Sequence, residues 1–212
     1  MFVRPCWKAR TGDELLTFID AYPWALLVNN GPNGPLATNL PLLLDRARGS
    51  NGVLVGHIAR ANEHSVILKN IDTPTLAIFQ GPYSFVSGSW YPNRDMPSTY
   101  YYTAVHCHGR LRLQTEGELE HWIGILTNRF ESEFPNGWKM TDVPRADITR
   151  RLPAIVGFEL EIERIEGKFK VGQDEPKKDA LAVCPHLDQS TDPKDHELSR
   201  LIHKYNDDRQ EK

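Results

Sequence analysis

FQGPYSFVSGSWYPNRDMPSTYYYTAVHCH, residues 79–108, is the most aromatic run of the chain. Its first part alternates between aromatic residues and smaller ones, which is the period of a β-strand. The PNRD sequence at residues 92–95 predicts a loop, and residues 101–113 predict a second long strand. Together these features predict an aromatic hairpin with the rest of a sheet on one side and a ligand or partner on the other.

Further strands are predicted on both sides of this hairpin. Short apolar or alternating runs favour strands at residues 24–29, 36–44, 53–58, 75–80 and 155–169. Asn33-Gly34 marks the turn of a hairpin that spans residues 24–44. Few segments are long enough to be crossover helices, so the pattern favours an antiparallel barrel over a doubly wound sheet. The predicted fold class is mainly β with peripheral helices (α+β).

Helices are predicted where apolar residues recur at helical spacing. One follows the Thr11/Glu14 capping box, and the others cover residues 63–69, 116–134 and 198–205. Residues 172–195 are rich in Pro, Lys and Asp and predict an extended, partly mobile segment. We therefore predict one domain over residues 1–175 and a C-terminal extension over residues 176–212 that ends in a short helix.

The composition argues against several classes of protein. The net charge of −3 and pI of about 6.2 do not favour a nucleic-acid-binding surface. No apolar run is long enough to span a membrane, and no signal peptide, GxGxxG or P-loop motif is seen. The three cysteines, Cys6, Cys107 and Cys184, lie far apart. This spacing fits a protein of the reducing cytoplasm without disulfides.

Two segments carry candidate binding chemistry. GHIARAN, residues 56–62, ends a strand and opens the helix that Asn62 is predicted to cap. A helix start offers backbone N–H groups to an anion or phosphate, and Arg60 and Lys69 would add positive charge. The alternative is a strand-end histidine followed by an ordinary helix cap. ATNLP, residues 37–41, places two small polar side chains in an apolar strand.

His106 and His108 are two residues apart in a predicted strand, so both side chains face the same side. Such a pair is able to ligate a metal or a haem iron, but no third ligand follows nearby. The alternative is a structural role for both histidines, and we predict no metal site. Cys107 points to the opposite face and is predicted to lie in the core.

Five motifs occur in order and carry a family likeness. They are ATNLP (37–41), GHIARAN (56–62), FQGPYSFVSGSWY (79–91), PSTYYYTAVH (97–106) and IVGFELEIERIEGKFKVGQ (155–173). Together they resemble the PaiB-type family of FMN-binding negative transcriptional regulators over most of residues 1–175. The resemblance implies an FMN-binding split β-barrel that forms a homodimer, with flavin sites at the subunit interface. It also implies repression of genes.

The resemblance further implies which residues contact FMN. Thr38 and Asn39 are expected near the flavin ring or the ribityl chain. The phosphate is expected near His57, Arg60, Asn62 and Lys69. The partner subunit is expected to contribute Trp90, Tyr100, Lys170 and Gln173. No catalytic residue is predicted, because flavin chemistry is supplied by the cofactor.

Three functions remain open from the sequence. The first is a cytoplasmic, flavin-linked repressor of the PaiB type. The alternatives are a flavin-dependent oxidoreductase of the split-barrel group and a haem- or flavin-binding protein without turnover. The chain shows no helix-turn-helix pattern, so DNA contact is implied by the resemblance alone and any regulatory role is open to being indirect.

Overall fold

A computed structural model describes residues 1–69 and 73–210. Within these residues one sheet has seven strands, in the spatial order β2-β1-β5-β6-β7-β4-β3. The strands are β1 (Trp24–Gly31), β2 (Gly34–Pro41), β3 (Leu43–Asp45), β4 (Val53–Ala59), β5 (Pro74–Val86), β6 (Thr99–Leu113) and β7 (Ile155–Lys170). The pairs β1–β2, β1–β5, β3–β4 and β4–β7 are antiparallel. The predicted α+β class with a dominant antiparallel sheet is confirmed.

The helices of the described residues are mostly short. They are α1 (Gly12–Ala21), α2 (His64–Ile67), α3 (Glu116–Glu131), α4 (Arg145–Arg151), α5 (Lys177–Ala182), α6 (Cys184–Asp188) and α7 (Pro193–Asn206). Four single turns of 3₁₀-helix lie at Pro5–Trp7, Gly88–Trp90, Met140–Asp142 and Leu152–Ala154. None of the helices in the described ranges is both long and apolar enough to cross a membrane.

The chain divides into two compact units. The first unit consists of Met1–Phe18, Gln80–Val105 and Glu166–Lys212, and the second of Ile19–Phe79 and His106–Ile165. Phe169 and Val171 belong to the buried core of the first unit, and Leu27, Leu54 and Phe158 to that of the second. These units do not follow the boundary predicted at residue 175. Whether residues 176–212 act as a separate extension stays a prediction.

The prediction of an extended, partly mobile segment over residues 172–195 was wrong in its secondary structure. Helices α5 and α6 occupy much of it. Ala180, Val183, Cys184 and Leu187 are buried, so a small apolar set inside a polar sequence is enough to make these helices pack. Composition alone hides such a set, because it averages over both faces of each helix.

Two other predicted elements have different bounds. The strand predicted over residues 36–44 is two strands, because the N–H of Leu42 donates to the carbonyl of Pro23 at 2.8 Å and leaves the ladder. The helix predicted over residues 63–69 is a single α-helical turn, His64–Ile67. The first difference arises from a hydrogen bond between segments that are distant along the chain, which periodicity does not reveal.

Strand β6 explains why the aromatic run forms a sheet. Tyr101, Thr103, Val105 and Cys107 alternate along it and are all buried, each less than 1% exposed. Burial raises the pKa of the Cys107 thiol, and the structure thus confirms that this cysteine lies in the core. All three cysteines are free.

Candidate functional site

A buried polar network joins three elements of the second unit. His64, at the start of α2, is 1% exposed, and Asn29 on β1 is 2% exposed. The Nδ1 atom of His64 lies 2.9 Å from the hydroxyl of Thr38 on β2. Its Nε2 atom lies 2.9 Å from Oδ1 of Asn29. Burial lowers the pKa of His64, so the imidazole is uncharged at neutral pH.

Of these residues only Thr38 was predicted to belong to the site. His64 is 26 residues from Thr38 and 35 from Asn29 along the chain, so spacing gives no signal that the three meet. Strand alternation predicts only the directions of the side chains, because it puts Thr38 and Asn39 on opposite faces of β2. Thr38 is partly exposed and Asn39 is exposed, which leaves both side chains open to a ligand.

The segment predicted to bind phosphate has most of its backbone donors in use. The N–H of His64 donates to Oδ1 of Asn62 at 2.9 Å. The N–H groups of Ser65 and Val66 donate to the carbonyls of Asn62 and Glu63. The prediction that Asn62 is the N-cap was wrong, because the N-cap of this turn is Glu63, although the Asn62 side chain does accept the N–H of His64. The turn does not present the row of free donors on which we based the phosphate position. That position stays a prediction.

The two cationic side chains of this segment differ in how far they are available to a ligand. The guanidinium of Arg60 donates to the carbonyls of Pro153 at 2.6 Å and Ile155 at 3.0 Å, so it holds the chain before and at the start of β7. Lys69 is exposed. His57, on β4, is partly buried, and this burial lowers the pKa of His57. Lys69 is thus better placed than Arg60 to meet an anion from solvent.

The first unit presents an exposed aromatic patch, defined by Tyr83, Phe85 and Tyr100. These side chains are 44%, 48% and 55% exposed. The rings of Phe85 and Tyr100 meet edge to face at 5.7 Å, and the ammonium of Lys194 lies 5.8 Å from the ring centre of Tyr83. Three large rings held open on two strands form a surface suited to a flat ligand or to another protein.

Three predicted residues of the first unit have defined contacts. The ring of Trp90 stacks on His186 at 4.8 Å and 8°. Lys170 donates to the hydroxyl of Thr99 and, at 3.0 Å, to the carbonyl of Tyr100. These contacts order the ends of the aromatic hairpin.

Gln173 has a structural role in the described chain. It is 6% exposed. Its Oε1 accepts from the N–H of Val171 at 2.8 Å, and its Nε2 donates to the carbonyl of Phe169 at 2.6 Å. The amide therefore holds the turn after β7 together, and its contact with a ligand stays a prediction.

Sequence reasoning also missed a buried carboxylate, Glu175, that two tyrosines of the first unit bind. The hydroxyls of Tyr91 and Tyr101 both donate to the carboxylate of Glu175, the first at 3.2 Å. Burial raises the pKa of Glu175 although both hydroxyls favour its charged form. Burial also raises the pKa of Tyr91 to about 12. The cluster ties residue 175 to the aromatic hairpin, and nothing in the local sequence predicts it.

His106 and His108 share one face of β6 in the second unit, as predicted. Both are partly buried, and their ring centres are 6.3 Å apart. His108 lines a cleft of about 420 Å³ together with Val28, Leu76, Arg110 and Arg164, among others. Among residues 1–69 and 73–210, no group of three His, Cys, Asp or Glu side chains is placed to hold a metal ion.

Comparison with known proteins assigns the family. The model of the family described as "Putative FMN-binding domain" matches residues 1–164. The chain belongs to this FMN-binding domain family. The match confirms the likeness inferred from the five motifs, and it makes FMN the cofactor of the family to which the chain belongs.

This FMN-binding domain protein has similar proteins in both sequence and structure. Protease synthase and sporulation protein PAI 2 of Bacillus subtilis is 25% identical over 202 residues, which cover 95% of this chain and 96% of the relative. The FAD and heme binding protein of Mycobacterium smegmatis has a similar structure, with a TM-score of 0.59, 18% identity and coverage of 78% and 74%. The flavocytochrome Anf3 of Azotobacter vinelandii also has a similar structure, with a TM-score of 0.61 and 14% identity. The match covers 78% of this chain and 70% of Anf3. These likenesses confirm the predicted split-barrel fold.

Proposed function

We propose that the chain is an FMN-binding split-barrel protein that acts as a negative transcriptional regulator of the PaiB type. The family match over residues 1–164 carries the proposal. Strand β2 offers polar side chains to a ligand on both of its faces, because Thr38 is partly exposed and Asn39 is exposed. Because the turn at His64 uses its own backbone donors, the phosphate depends on side-chain charge, and exposed Lys69 supplies it.

FMN is expected to bind better than riboflavin, by roughly tenfold to a hundredfold, since a hydrogen bond to a charged group contributes about 1.5–3 kcal/mol. Quenching of flavin fluorescence during titration measures both affinities. Lys69→Gln should remove most of the preference and leave riboflavin binding unchanged. Lys178→Gln, an exposed lysine of the first unit, is the matched control. Equal affinities of the unchanged protein for FMN and riboflavin would rule out a phosphate contact.

The regulatory part of the proposal includes a cytoplasmic location and does not require direct DNA contact. The net charge of −3 gives little attraction to phosphate backbones, and the relative in Bacillus subtilis is named for protease synthesis and sporulation. A gel-shift experiment with random duplex DNA at physiological salt should show only weak binding. Nanomolar affinity in that experiment would favour a direct repressor.

We also propose that the protein is a homodimer. The aromatic patch supports this, because Tyr83, Phe85 and Tyr100 leave three large rings in water on a single chain. In such a dimer Trp90, Tyr100, Lys170 and Gln173 would be contributed by the partner subunit to the flavin site. A stable monomer at micromolar concentration in sedimentation velocity would contradict the dimer.

Haem binding is the second candidate, and His106 and His108 are the observation that favours it. Both imidazoles lie on one face of β6, and His108 borders the 420 Å³ cleft. The absorbance spectrum of the purified protein separates flavin bands from a haem Soret band. Oxidation of NADPH by the flavin-loaded protein would instead favour the oxidoreductase alternative.

A further inference from the structure

We propose that His64 accepts the hydroxyl proton of Thr38, so that the Thr38 oxygen can only accept a hydrogen bond from a ligand. The site then selects a ligand that offers an N–H or O–H group at this position. The inference deepens the proposed FMN site and rests on it. His64 is 1% exposed and lies within 2.9 Å of both Thr38 and Asn29. It is a positioning residue, because it acts on the ligand through Thr38.

The direction of the hydrogen bonds is fixed at the inner end of the network. Backbone carbonyls only accept. The hydroxyl of Thr75 donates to the carbonyl of Thr73 at 3.1 Å. The amide nitrogen of Asn29 donates to the carbonyl of Pro74 at 3.1 Å and to the hydroxyl oxygen of Thr75 at 2.6 Å. The orientation of the Asn29 amide is therefore determined, and its oxygen faces His64.

This orientation determines the tautomer of His64. The oxygen of Asn29 is an acceptor, so the Nε2 atom of His64 at 2.9 Å must carry the ring proton. A neutral imidazole has one such proton, which leaves Nδ1 as an acceptor. The hydroxyl of Thr38, 2.9 Å from Nδ1, must then donate to it.

The charges around His64 favour the neutral ring. Burial lowers its pKa, and the carboxylate of Glu63, on the chain just before α2, acts weakly in the other direction. The groups that hydrogen-bond to the ring are Asn29 on β1 and Thr38 on β2, and Asn29 is in turn bonded to Thr75 on β5. None of these three side chains is titratable. The neutral form is therefore the form present at neutral pH.

The consequence appears at Thr38, which is partly exposed on β2. Its single proton points inward, so only oxygen lone pairs remain for a ligand. An imide N–H of a flavin ring and a ribityl hydroxyl both match such an acceptor, whereas a carbonyl oxygen would be repelled. Protonation of His64 would make both ring nitrogens donors and release the Thr38 proton outward. Acidification should therefore reverse the preference at Thr38.

The first test needs no ligand. Long-range ¹H–¹⁵N NMR spectra of the full-length protein at pH 7.5 report the tautomer of each histidine, and His64→Gln identifies the His64 signals. We expect a neutral ring with its proton on Nε2. A proton on Nδ1, or a charged ring at that pH, would overturn the inference.

The second test measures FMN affinity between pH 5 and pH 8. Thr38→Val should weaken binding about threefold to tenfold at pH 8, the range for one neutral hydrogen bond, and should flatten the pH profile of the affinity. Thr38→Ser keeps a hydroxyl and should restore both the affinity and the profile. Thr141→Val, at an exposed threonine of the second unit, is the matched control and should behave as the unchanged protein.

The outcomes separate this inference from the proposed function. A Thr38→Val protein that melts normally and keeps the original affinity and pH profile would overturn the role of Thr38 in selection. A purely structural role of His64 would also leave the pH profile of FMN binding unmoved. If the unchanged protein binds no FMN at any pH, the proposed function fails, and the NMR tautomer alone decides whether His64 sets the Thr38 hydroxyl.

Discussion

Gly109→Ala is expected to destabilise the protein by about 3 kcal/mol, the upper part of the usual range for overpacking. Gly109 is buried in β6, and an added Cβ would lie 1.8 Å from the carbonyl oxygen and 3.0 Å from the carbonyl carbon of Glu161 on β7. The clash is with backbone, so rotation of a side chain cannot relieve it. Thermal melting should show a midpoint lowered by roughly 6–12 °C.

The matched control is Gly117→Ala in the first turn of α3. A Cβ at Gly117 meets no described atom within 4 Å, and alanine favours a helix over glycine by up to about 1 kcal/mol. The control should melt at or slightly above the temperature of the unchanged protein. A melting point of Gly109→Ala within 1 °C of the unchanged protein would show that β6 and β7 are free to separate at this position.

Most of the sheet was predictable because its strands repeat with a period of two and end at turn residues. β1, β4 and β7 lie within two residues of their predicted bounds. The alternation at Tyr101, Thr103, Val105 and Cys107 is strict enough to give β6 its length and its buried face. Tertiary packing then joined Thr75–Gln80 and the aromatic run into one strand of 13 residues, which local reasoning treated as two.

The missed helices have a different cause. α5 and α6 are six and five residues long, so neither completes enough turns for an apolar period to stand out. Pro176 and Pro185, which read as helix breakers, lie before or near the first turn of a helix, where proline is tolerated. The prediction from a composition rich in Pro and Lys therefore reflected the exposed residues of this segment and missed its buried ones.

Only the site residues that lie within the sequence motifs were predicted. Thr38 and Asn62 do take part in the hydrogen bonding around His64, but the network is organised by His64 and Asn29, whose contacts span strands. Arg60 was predicted to add positive charge near the phosphate, and the sequence did not reveal that its guanidinium donates to the carbonyls of Pro153 and Ile155. Hydrogen bonds between distant segments leave no pattern in the sequence, and they determine which polar groups remain for a ligand.

Glu159 offers the second large effect. This carboxylate is 4% exposed. Arg48 donates to both of its oxygens at 3.0 Å, and Arg112 donates at 2.6 Å. Burial raises the pKa of Glu159, but the hydrogen bonds from the two arginines outweigh burial and hold that pKa below its usual value. The cluster therefore consists of one buried carboxylate and two partly exposed arginines that bind it.

Replacing both arginines with methionine should cost about 3–5 kcal/mol at pH 7, because it leaves the buried carboxylate without a partner. Urea denaturation measures this loss. The triple variant Arg48→Met, Glu159→Leu, Arg112→Met removes the charge as well and should recover most of the stability. Both the double and the triple variant lose the contact of Arg48 over the ring of Trp122, whose centre lies 5.6 Å away. The difference in stability between the two variants therefore reports the effect of the unpaired carboxylate.

The pH dependence distinguishes the charge from mere packing. In the unchanged protein the folded-state pKa of Glu159 is depressed, so its stabilisation is present above the ordinary carboxyl value and is lost as pH falls through the folded-state value. Without the arginines, burial alone acts and the folded-state pKa is raised. Acidification should then stabilise the double variant relative to the unchanged protein. The difference in unfolding free energy should therefore shrink from pH 7 to pH 4, and an equal difference at both values would mean that packing, not charge, holds this cluster together.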